Sequence, residues 1–152
     1  MKNITIEPRY ASNQLLDYLV AICEGEKAII ANGLCQILKD TQSDKERMID
    51  VFERKSYLNS IDGFDIIERE KIDLINGQFG WNVPHFEYGE YTCTYAYGKT
   101  MREAGLRRYI NMKLGESYRI EDKEIIEEIE KIGMNKLYQE HCSWLEDGKA
   151  KK

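Results

Sequence analysis

The chain has 152 residues, a formal net charge of −5 and a hydrophobic content of 42%. That length is enough for one domain with a real core, and the composition is typical of a globular protein. The negative charge argues against non-specific nucleic-acid binding, which needs many cations that face phosphates. No apolar run is long enough to cross a bilayer, and the first residues lack the apolar stretch of a signal peptide. We therefore expect a cytoplasmic protein.

The first predicted elements are a short strand and a helix. The strand covers Lys2–Ile6. Ser12 is a suitable N-cap for a helix that reaches Glu24, because apolar residues recur behind it at helical spacing. Gly25 ends this helix.

Residues 27–38 contain two apolar runs separated by Asn32 and Gly33. An Asn-Gly pair between apolar runs predicts a β-hairpin with a two-residue turn. The alternative, which the sequence leaves open, is a helix through Ile30, Leu34, Ile37 and Leu38.

Ser43 and Glu46 have the spacing of a capping box. This pair predicts a helix that runs to about Lys55, with its apolar residues on one face. Residues 57–63 are predicted to be a loop.

The segment Ile66–Ile75 alternates apolar and charged residues, which favours a strand over a helix. Asn76 and Gly77 predict a tight turn after it. The return strand is predicted over Gln78–Val83, with Pro84 as its end.

A row of tyrosines over Tyr91–Tyr97 has strand chemistry. After Gly98 the period becomes helical, which predicts a basic helix over Thr100–Leu114 that stops at Gly115. A last short strand is predicted over Ser117–Ile120.

The C-terminal part predicts a helical hairpin over 121–147, because two apolar stripes at helical spacing are separated by Gly133. Residues 148–152 are predicted to be a charged tail. Together these elements predict a single α+β domain over 1–147, an antiparallel sheet with helices packed on it, whose central unit is 64–120.

Gly98, Lys99 and Thr100 stand between a strand and a helix, where a phosphate-binding loop would end. Such a loop needs a glycine at the position of Cys93, so no complete loop of this type is present. Two readings remain for the helix start: an anion contact by Lys99 and Thr100, or simple capping by Thr100.

Glu68, Arg69 and Glu70 would place two carboxylates on one face of the predicted strand. Paired carboxylates can perform general acid–base chemistry when their pKa values are driven apart. Pairing with Arg107 or Arg108 is the structural alternative.

The tyrosines and the residues that bind metals give weaker signals. Tyr95 and Tyr97 would share a strand face with Tyr91, a face that suits base stacking but also a core or an interface. The two histidines, His85 and His141, lie too far apart in sequence to suggest a zinc site. The four cysteines have no metal-binding or redox spacing and are expected to be reduced and buried, so we expect no cofactor or metal.

The chain resembles the NinX-like family of small phage proteins, whose function is not established. The resemblance depends on Leu16 to Gly25, on Ile66-Ile67-Glu68-Arg69-Glu70 with Ile72, on Trp81, on Gly98-Lys99-Thr100, and on Ala104, Arg107, Tyr109 and Lys113 to Glu116. The chain departs from the family where Met101 replaces the usual proline, in a longer segment over 40–59, and in the helices after Glu121. If the resemblance holds, the compartment is the cytoplasm of an infected bacterium.

The resemblance, together with the lack of a complete catalytic set, implies a non-enzymatic phage accessory protein that binds a host component, with inhibition of a host defence protein as the expected role. The alternatives are sequestration of a nucleotide-like small molecule and a small enzyme that uses Glu68 and Glu70. Neither nucleic acid nor a membrane is an expected partner, and a homo-oligomer is possible. The candidate ligand-binding residues are Glu68, Arg69, Glu70, Trp81, Tyr95, Tyr97, Lys99, Thr100, Arg107 and Tyr109.

Overall fold

The computed structural model describes residues 3–78, 80–87 and 90–131. In chain order its elements are β1 (Ile4–Ile6), a 3-10 turn (Pro8–Tyr10), α1 (Asn13–Cys23), β2 (Ala28–Ala31), β3 (Leu34–Asp44), β4 (Arg47–Arg54), α2 (Ile61–Arg69), β5 (Ile75–Gly77), β6 (Gly80–Glu87), β7 (Glu90–Gly98), α3 (Met101–Leu114), β8 (Tyr118–Ile120) and α4 (Lys123–Lys131).

The predicted single α+β domain is confirmed, but its strands form three small antiparallel sheets instead of one. The described strands pair as β1 with β8, as β2-β3-β4 and as β5-β6-β7. Helices α1 and α3 fill the centre, where Leu16, Leu19, Leu106 and Ile110 are fully buried. Burial of these apolar side chains is the main favourable term for the fold.

The helix ends and turns predicted at glycines and capping residues are mostly confirmed. The β2–β3 hairpin turns at Asn32 and Gly33, whose φ values of 54° and 73° are both left-handed, as a type I′ turn requires. Helix α1 begins after Ser12, and α3 begins after Thr100 and ends at Gly115, which has a φ of 86°. The helix alternative for residues 30–38 is wrong.

The predicted strand over Ile66–Ile75 is wrong, because residues 61–69 form α2. Gly63, Ile66 and Ile67 are buried, and their spacing of three and four residues is that of a helix face. The apolar and charged residues of 66–75 alternate only because this range crosses the end of α2. Ile72 and Ile75 belong to the segment after the helix.

Helix α2 is followed, after its C-cap Glu70, by Lys71, a residue that gives no stop signal in the sequence. Ile72 donates its backbone N–H to Ile67 O at 3.1 Å and Lys71 donates to Glu68 O at 3.2 Å, the paired bonds of a Schellman motif. Lys71 takes the left-handed position with a φ of 52°, where Gly25 stands at the end of α1. Without a glycine at that position, the sequence gives no stop signal.

The helix predicted from Ser43 to Lys55 is also wrong. Strands β3 and β4 form a long ribbon over this segment, joined by a turn at Lys45 and Glu46 with φ values of 43° and 73°. Ser43 lies within β3, opposite Met48, so it caps no helix. Lys-Glu is an unusual pair for a turn with two left-handed residues, which is why the hairpin gave no signal.

The turn predicted at Asn76 and Gly77 is wrong. Gly77 pairs with Gly80, so β5 includes both predicted turn residues. Pro84 does not end β6; it lies at a register shift, past the last residue that pairs with β5. A proline is tolerated there because, in the described part of the chain, no strand pairs with β6 on the β5 side at this position and needs its N–H.

Helix α4 confirms the first helix of the predicted C-terminal hairpin. The break at Gly133, the second helix and the tail over 148–152 lie outside the described residues. In the described part of the chain, no helix is long and apolar enough to cross a membrane.

Candidate functional site

The start of α3 carries its own carboxylate. Thr100 Oγ1 accepts a hydrogen bond from Glu103 N at 3.1 Å, and Glu103 Oε1 accepts one from Lys99 N at 3.1 Å. These bonds satisfy two amides at the helix start, in the manner of a capping box. The capping role of Thr100 is confirmed, and Glu103 already supplies the negative charge that a helix start favours.

Gly98 fixes how closely β7 approaches α3. A Cβ atom at Gly98 would lie 2.3 Å from Ala104 N, closer than any real contact of this kind. The prediction that a β layer ends at this glycine and a helix follows it is confirmed.

Arg107 is buried and holds three segments together. Its Nε donates to Ala11 O at 2.8 Å, its Nη1 to Tyr97 O and Glu103 Oε1 at 2.8 Å each, and its Nη2 to Ser12 Oγ at 2.9 Å. Only 1% of the residue is exposed. The guanidinium therefore joins the start of α1, the end of β7 and the first turn of α3, and it does not face solvent.

Helices α2 and α3 run side by side in the same direction. Arg102 Nη1 donates to Ser60 O near their starts, Gly105 meets Ile67 farther along, and Glu70 faces Lys113 near their ends. Glu24, at the end of α1, reaches the same place. The C-terminal ends of three helices therefore converge.

We call the four charged residues at this convergence, together with Tyr109, the helix-end cluster: Glu24, Arg69, Glu70, Tyr109 and Lys113. Arg69 donates two hydrogen bonds to the carboxylate of Glu24, at 2.9 and 2.7 Å, and Tyr109 Oη donates to Glu24 Oε2 at 2.5 Å. Glu70 Oε1 lies 3.7 Å from Arg69 and 3.8 Å from Lys113 Nζ. Cations at helix C-termini are favourable because the backbone carbonyls there carry partial negative charge.

The cluster holds its groups in fixed protonation states. Hydrogen bonding by Arg69 is the main cause that lowers the pKa of Glu24, while burial and then Glu24 raise the pKa of Tyr109. At neutral pH the carboxylate is therefore ionised and the phenol keeps its proton. Burial also raises the pKa of the neighbouring Cys23 thiol to about 11, so this thiol is protonated and weakly nucleophilic.

Part of the cluster is open to solvent. The side chains of Arg69 and Lys113 are 52% and 49% exposed, whereas those of Glu24 and Glu70 are about 20% exposed. The guanidinium of Arg69 and the ammonium of Lys113 both lie over the ring of Tyr109, at 5.6 and 5.9 Å from its centroid. The cations therefore form the accessible top of the cluster.

Glu68 and Glu70 do not form the predicted carboxylate pair. Both lie at the end of a helix, where residues two apart point to different sides. Glu68 is exposed, and Glu70 is half-buried between Arg69 and Lys113. The prediction that the two share a strand face is wrong because α2 replaces that strand.

A concave pocket of about 220 Å³ adjoins the cluster and shares Glu70 with it. Lys71 and Arg108 supply cations to its wall, and Asp73 supplies a second carboxylate. Its apolar lining comes from Ile72, Val83, Pro84 and Met112.

The aromatic candidates are not gathered at this site. Trp81 is half-buried and packs against the small cluster of Val83, Ala96 and Ala104. Tyr97 lies on the opposite face of the sheet, because it pairs with Asn82 while Trp81 pairs with Gly98. The side chain of Tyr95 lies outside the described residues.

The structure brings together Arg69, Glu70 and Tyr109 of the predicted site residues, and adds Glu24 and Lys113. Both added residues belong to short sequence motifs, one directly before Gly25 and one two residues before Gly115, but nothing in their spacing connects them to Arg69. Among the described residues, no group of three or more His, Cys, Asp or Glu side chains is placed to hold a metal ion.

Comparison with protein-family models finds no family that matches the chain, and a search of curated proteins finds no match.

Proposed function

We propose that this protein is a non-enzymatic phage accessory protein, related to the NinX-like family, that binds a component of the host cell through the surface around the helix-end cluster. One observation carries the proposal. Three stretches behind the resemblance, which end at Gly25, at Glu70 and at Glu116, supply every residue of the cluster.

The geometry of the cluster suits binding. Arg69 donates two hydrogen bonds to Glu24 and one to Tyr109, and Tyr109 donates one to Glu24, so the exposed cations lie on a surface whose shape is fixed before a partner arrives. A pre-organised surface loses less conformational entropy on association. The fixed protonation states of Glu24 and Tyr109 also favour a role in holding charge over one in proton transfer.

The partner that this surface suits is a host protein with an acidic patch able to approach Arg69 and Lys113. Charge complementarity at an interface steers association and selects partners. Inhibition of a host defence protein in the bacterial cytoplasm is the role we propose for that contact.

Capture of host proteins by the tagged chain tests the proposal. Lys113→Glu reverses an exposed charge whose nearest carboxylate is 3.8 Å away, so the fold should survive and the captured partner should be lost. Lys123→Glu is the matched control, because Lys123 is 86% exposed on α4, a helix that contributes no residue to the cluster. Equal capture by both variants, or an empty capture at low salt, contradicts the proposal.

A second candidate follows from the pocket beside the cluster: retention of a small molecule that carries an anionic group. Lys71 and Arg108 are the cations, and the apolar lining suits a flat ring. The volume of about 220 Å³ is below the range of roughly 300–1,000 Å³ typical of drug-sized ligands, so the pocket would enclose only part of a bound nucleotide.

Thermal denaturation with a panel of nucleotides tests this second candidate. Binding to the folded state alone raises the melting temperature. Arg108→Ala should abolish a shift produced by any nucleotide, while Lys99→Ala, at the start of α3, should leave it intact. The absence of a shift across the panel removes the candidate.

A further inference from the structure

The edge of β4 is open in the described part of the chain. In the sheet β2-β3-β4, β4 has β3 on one side and no described strand on the other. It also carries exposed apolar side chains: Met48 is 69% exposed and Ile49 is 44% exposed. An open edge with exposed apolar residues is a ready template for another strand.

The backbone groups that face this open edge can be assigned. Lys55 N donates to Cys35 O at 2.9 Å, so the odd-numbered residues of the strand direct their amides toward β3. The irregularity in this pair of strands is an extra residue in β3, which leaves the alternation in β4 intact. Met48, Asp50 and Phe52 therefore direct their N–H and C=O groups toward the free side.

The sequence of β4 is complementary to itself in one antiparallel register. With a two-fold axis at Asp50, Arg47 faces Glu53 of a second copy, and Met48 faces Phe52 of that copy. Ile49 then faces Val51 of the second copy. Opposite charges, sulfur beside an aromatic ring and two branched aliphatic side chains are all favourable cross-strand pairs.

Neighbouring registers lack this match. Moving the axis by one residue opposes Ile49 to Glu53 in one direction, and opposes Met48 to Asp50 in the other. Each places an apolar side chain opposite a charge. Since register is specified by side-chain pairing, the axis at Asp50 is favoured.

We propose that the chain forms a homodimer in which β4 pairs antiparallel with β4 of a second copy, extending the three-stranded sheet to six strands. This inference does not depend on the proposed function. The one unfavourable contact is Asp50 against Asp50 of the second copy. Each of these carboxylates is already paired, with Lys27 Nζ at 3.0 Å and Thr41 Oγ1 at 3.1 Å, which reduces their repulsion.

The contact is small, so we expect a reversible dimer. Strand β4 has eight residues, fewer than the roughly 20–30 per side of a stable interface. Pairing also buries the exposed apolar side chains of the ribbon, which a two-stranded hairpin alone leaves in water.

Charge reversal provides the test, with sedimentation velocity over a range of concentrations as the measurement. Arg47→Glu and Glu53→Arg each replace two attractive pairs per dimer by two repulsive ones, and each should weaken association on the order of tenfold. An equal mixture of the two variants restores both attractive pairs, so it should recover association. Arg119→Glu, at an exposed position of β8, is the control and should leave association unchanged.

Met48→Pro separates pairing from charge. The lost N–H faces the open edge, so the β3–β4 ladder and the melting temperature should be kept while dimerisation is lost. The proposal is overturned if the wild-type chain stays monomeric up to about 1 mM, the weak end of specific affinity. It is equally overturned if Met48→Pro or both single charge reversals leave a dimer unchanged.

Discussion

The helix-end cluster and the β3–β4 ribbon both carry charges of both signs but use them in different ways. Arg69 and Glu24 come from segments 45 residues apart and meet over a buried tyrosine. In the ribbon, Lys39 and Glu53 lie 3.8 Å apart, both more than 60% exposed, on two strands joined by one turn. Charges that join distant segments fix the tertiary structure, whereas charges on the ribbon remain available to solvent or to another chain.

The largest expected effect is in the packed part of the molecule. Arg107→Met should lower the free energy of unfolding by about 3–5 kcal/mol, because one buried and three partly buried acceptors lose their donor. Arg47→Met, on the exposed ribbon, should stay within about 0.5 kcal/mol in dilute solution. Urea unfolding of both variants measures the two changes in unfolding free energy. Equal losses would contradict the expected difference between the packed body and the ribbon.

Gly98→Ala should be the next most severe change. The added Cβ meets the backbone of α3 at Ala104, and a backbone cannot rotate away as a side chain can, so we expect a loss of about 3 kcal/mol. Ser43→Val adds more volume at an exposed position of the ribbon and should change the unfolding free energy by less than about 0.5 kcal/mol. A mild effect of Gly98→Ala would mean that β7 and α3 are less tightly packed.

Double-mutant cycles compare the two ion pairs directly. The Glu24–Arg69 pair should have a coupling energy of about 1 kcal/mol, because its hydrogen bonds are bidentate but the arginine is half exposed. The exposed Lys39–Glu53 pair should give less than about 0.5 kcal/mol. If the coupling energy of the ribbon pair equals that of the cluster pair, then burial and bidentate hydrogen bonding do not set the strength of these ion pairs.

The acid side of the stability profile should distinguish the regions again. The pKa of Glu24 lies below its ordinary value of 4.5, so near that pH the unfolded chain binds more protons than the folded one. The stability it contributes is complete above pH 4.5 and is lost as the pH falls through the lowered pKa. Glu24→Gln should therefore flatten the acid limb of the profile.

Asp50 of the ribbon provides the control for this profile. Its pKa is also lowered, first by Lys27, but its side chain is 38% exposed on the ribbon surface and solvent screens the pair. The profile of Asp50→Asn should follow the wild type more closely than that of Glu24→Gln. The reverse order would show that the cluster is not the main acid-sensitive contact of the two.

The sequence predicts those elements whose ends are marked by glycine or by a capping residue. Gly25, Gly33 and Gly115 each mark a helix end or a turn that the structure confirms, and Thr100 marks the start of α3. The position of the basic helix α3 directly after β7 follows from these signals alone.

The errors come from positions where an ordinary residue takes a glycine conformation. Lys71 ends α2 and Lys45-Glu46 turns the ribbon, all with positive φ. The sequence predicts the candidate site only in part, for a different reason. Arg69 and Tyr109 are among the predicted site residues, but their contact with Glu24 depends on three helices that end at the same place, and no local sequence pattern contains that information.

Glycine substitution at Lys71 and at Glu46 should produce the smallest effects, and these effects should differ between the packed body and the ribbon. Lys71→Gly relieves a left-handed lysine in the packed body, and the gain should appear as about 0.5–1 kcal/mol in global unfolding. Glu46→Gly relieves similar strain at the ribbon turn, but a two-stranded ribbon opens locally before the body unfolds. Its gain should therefore appear mainly as slower amide exchange in β3 and β4. Should Glu46→Gly raise global stability as much as Lys71→Gly, the ribbon unfolds together with the body, and its edge is a more rigid surface than a local hairpin would provide.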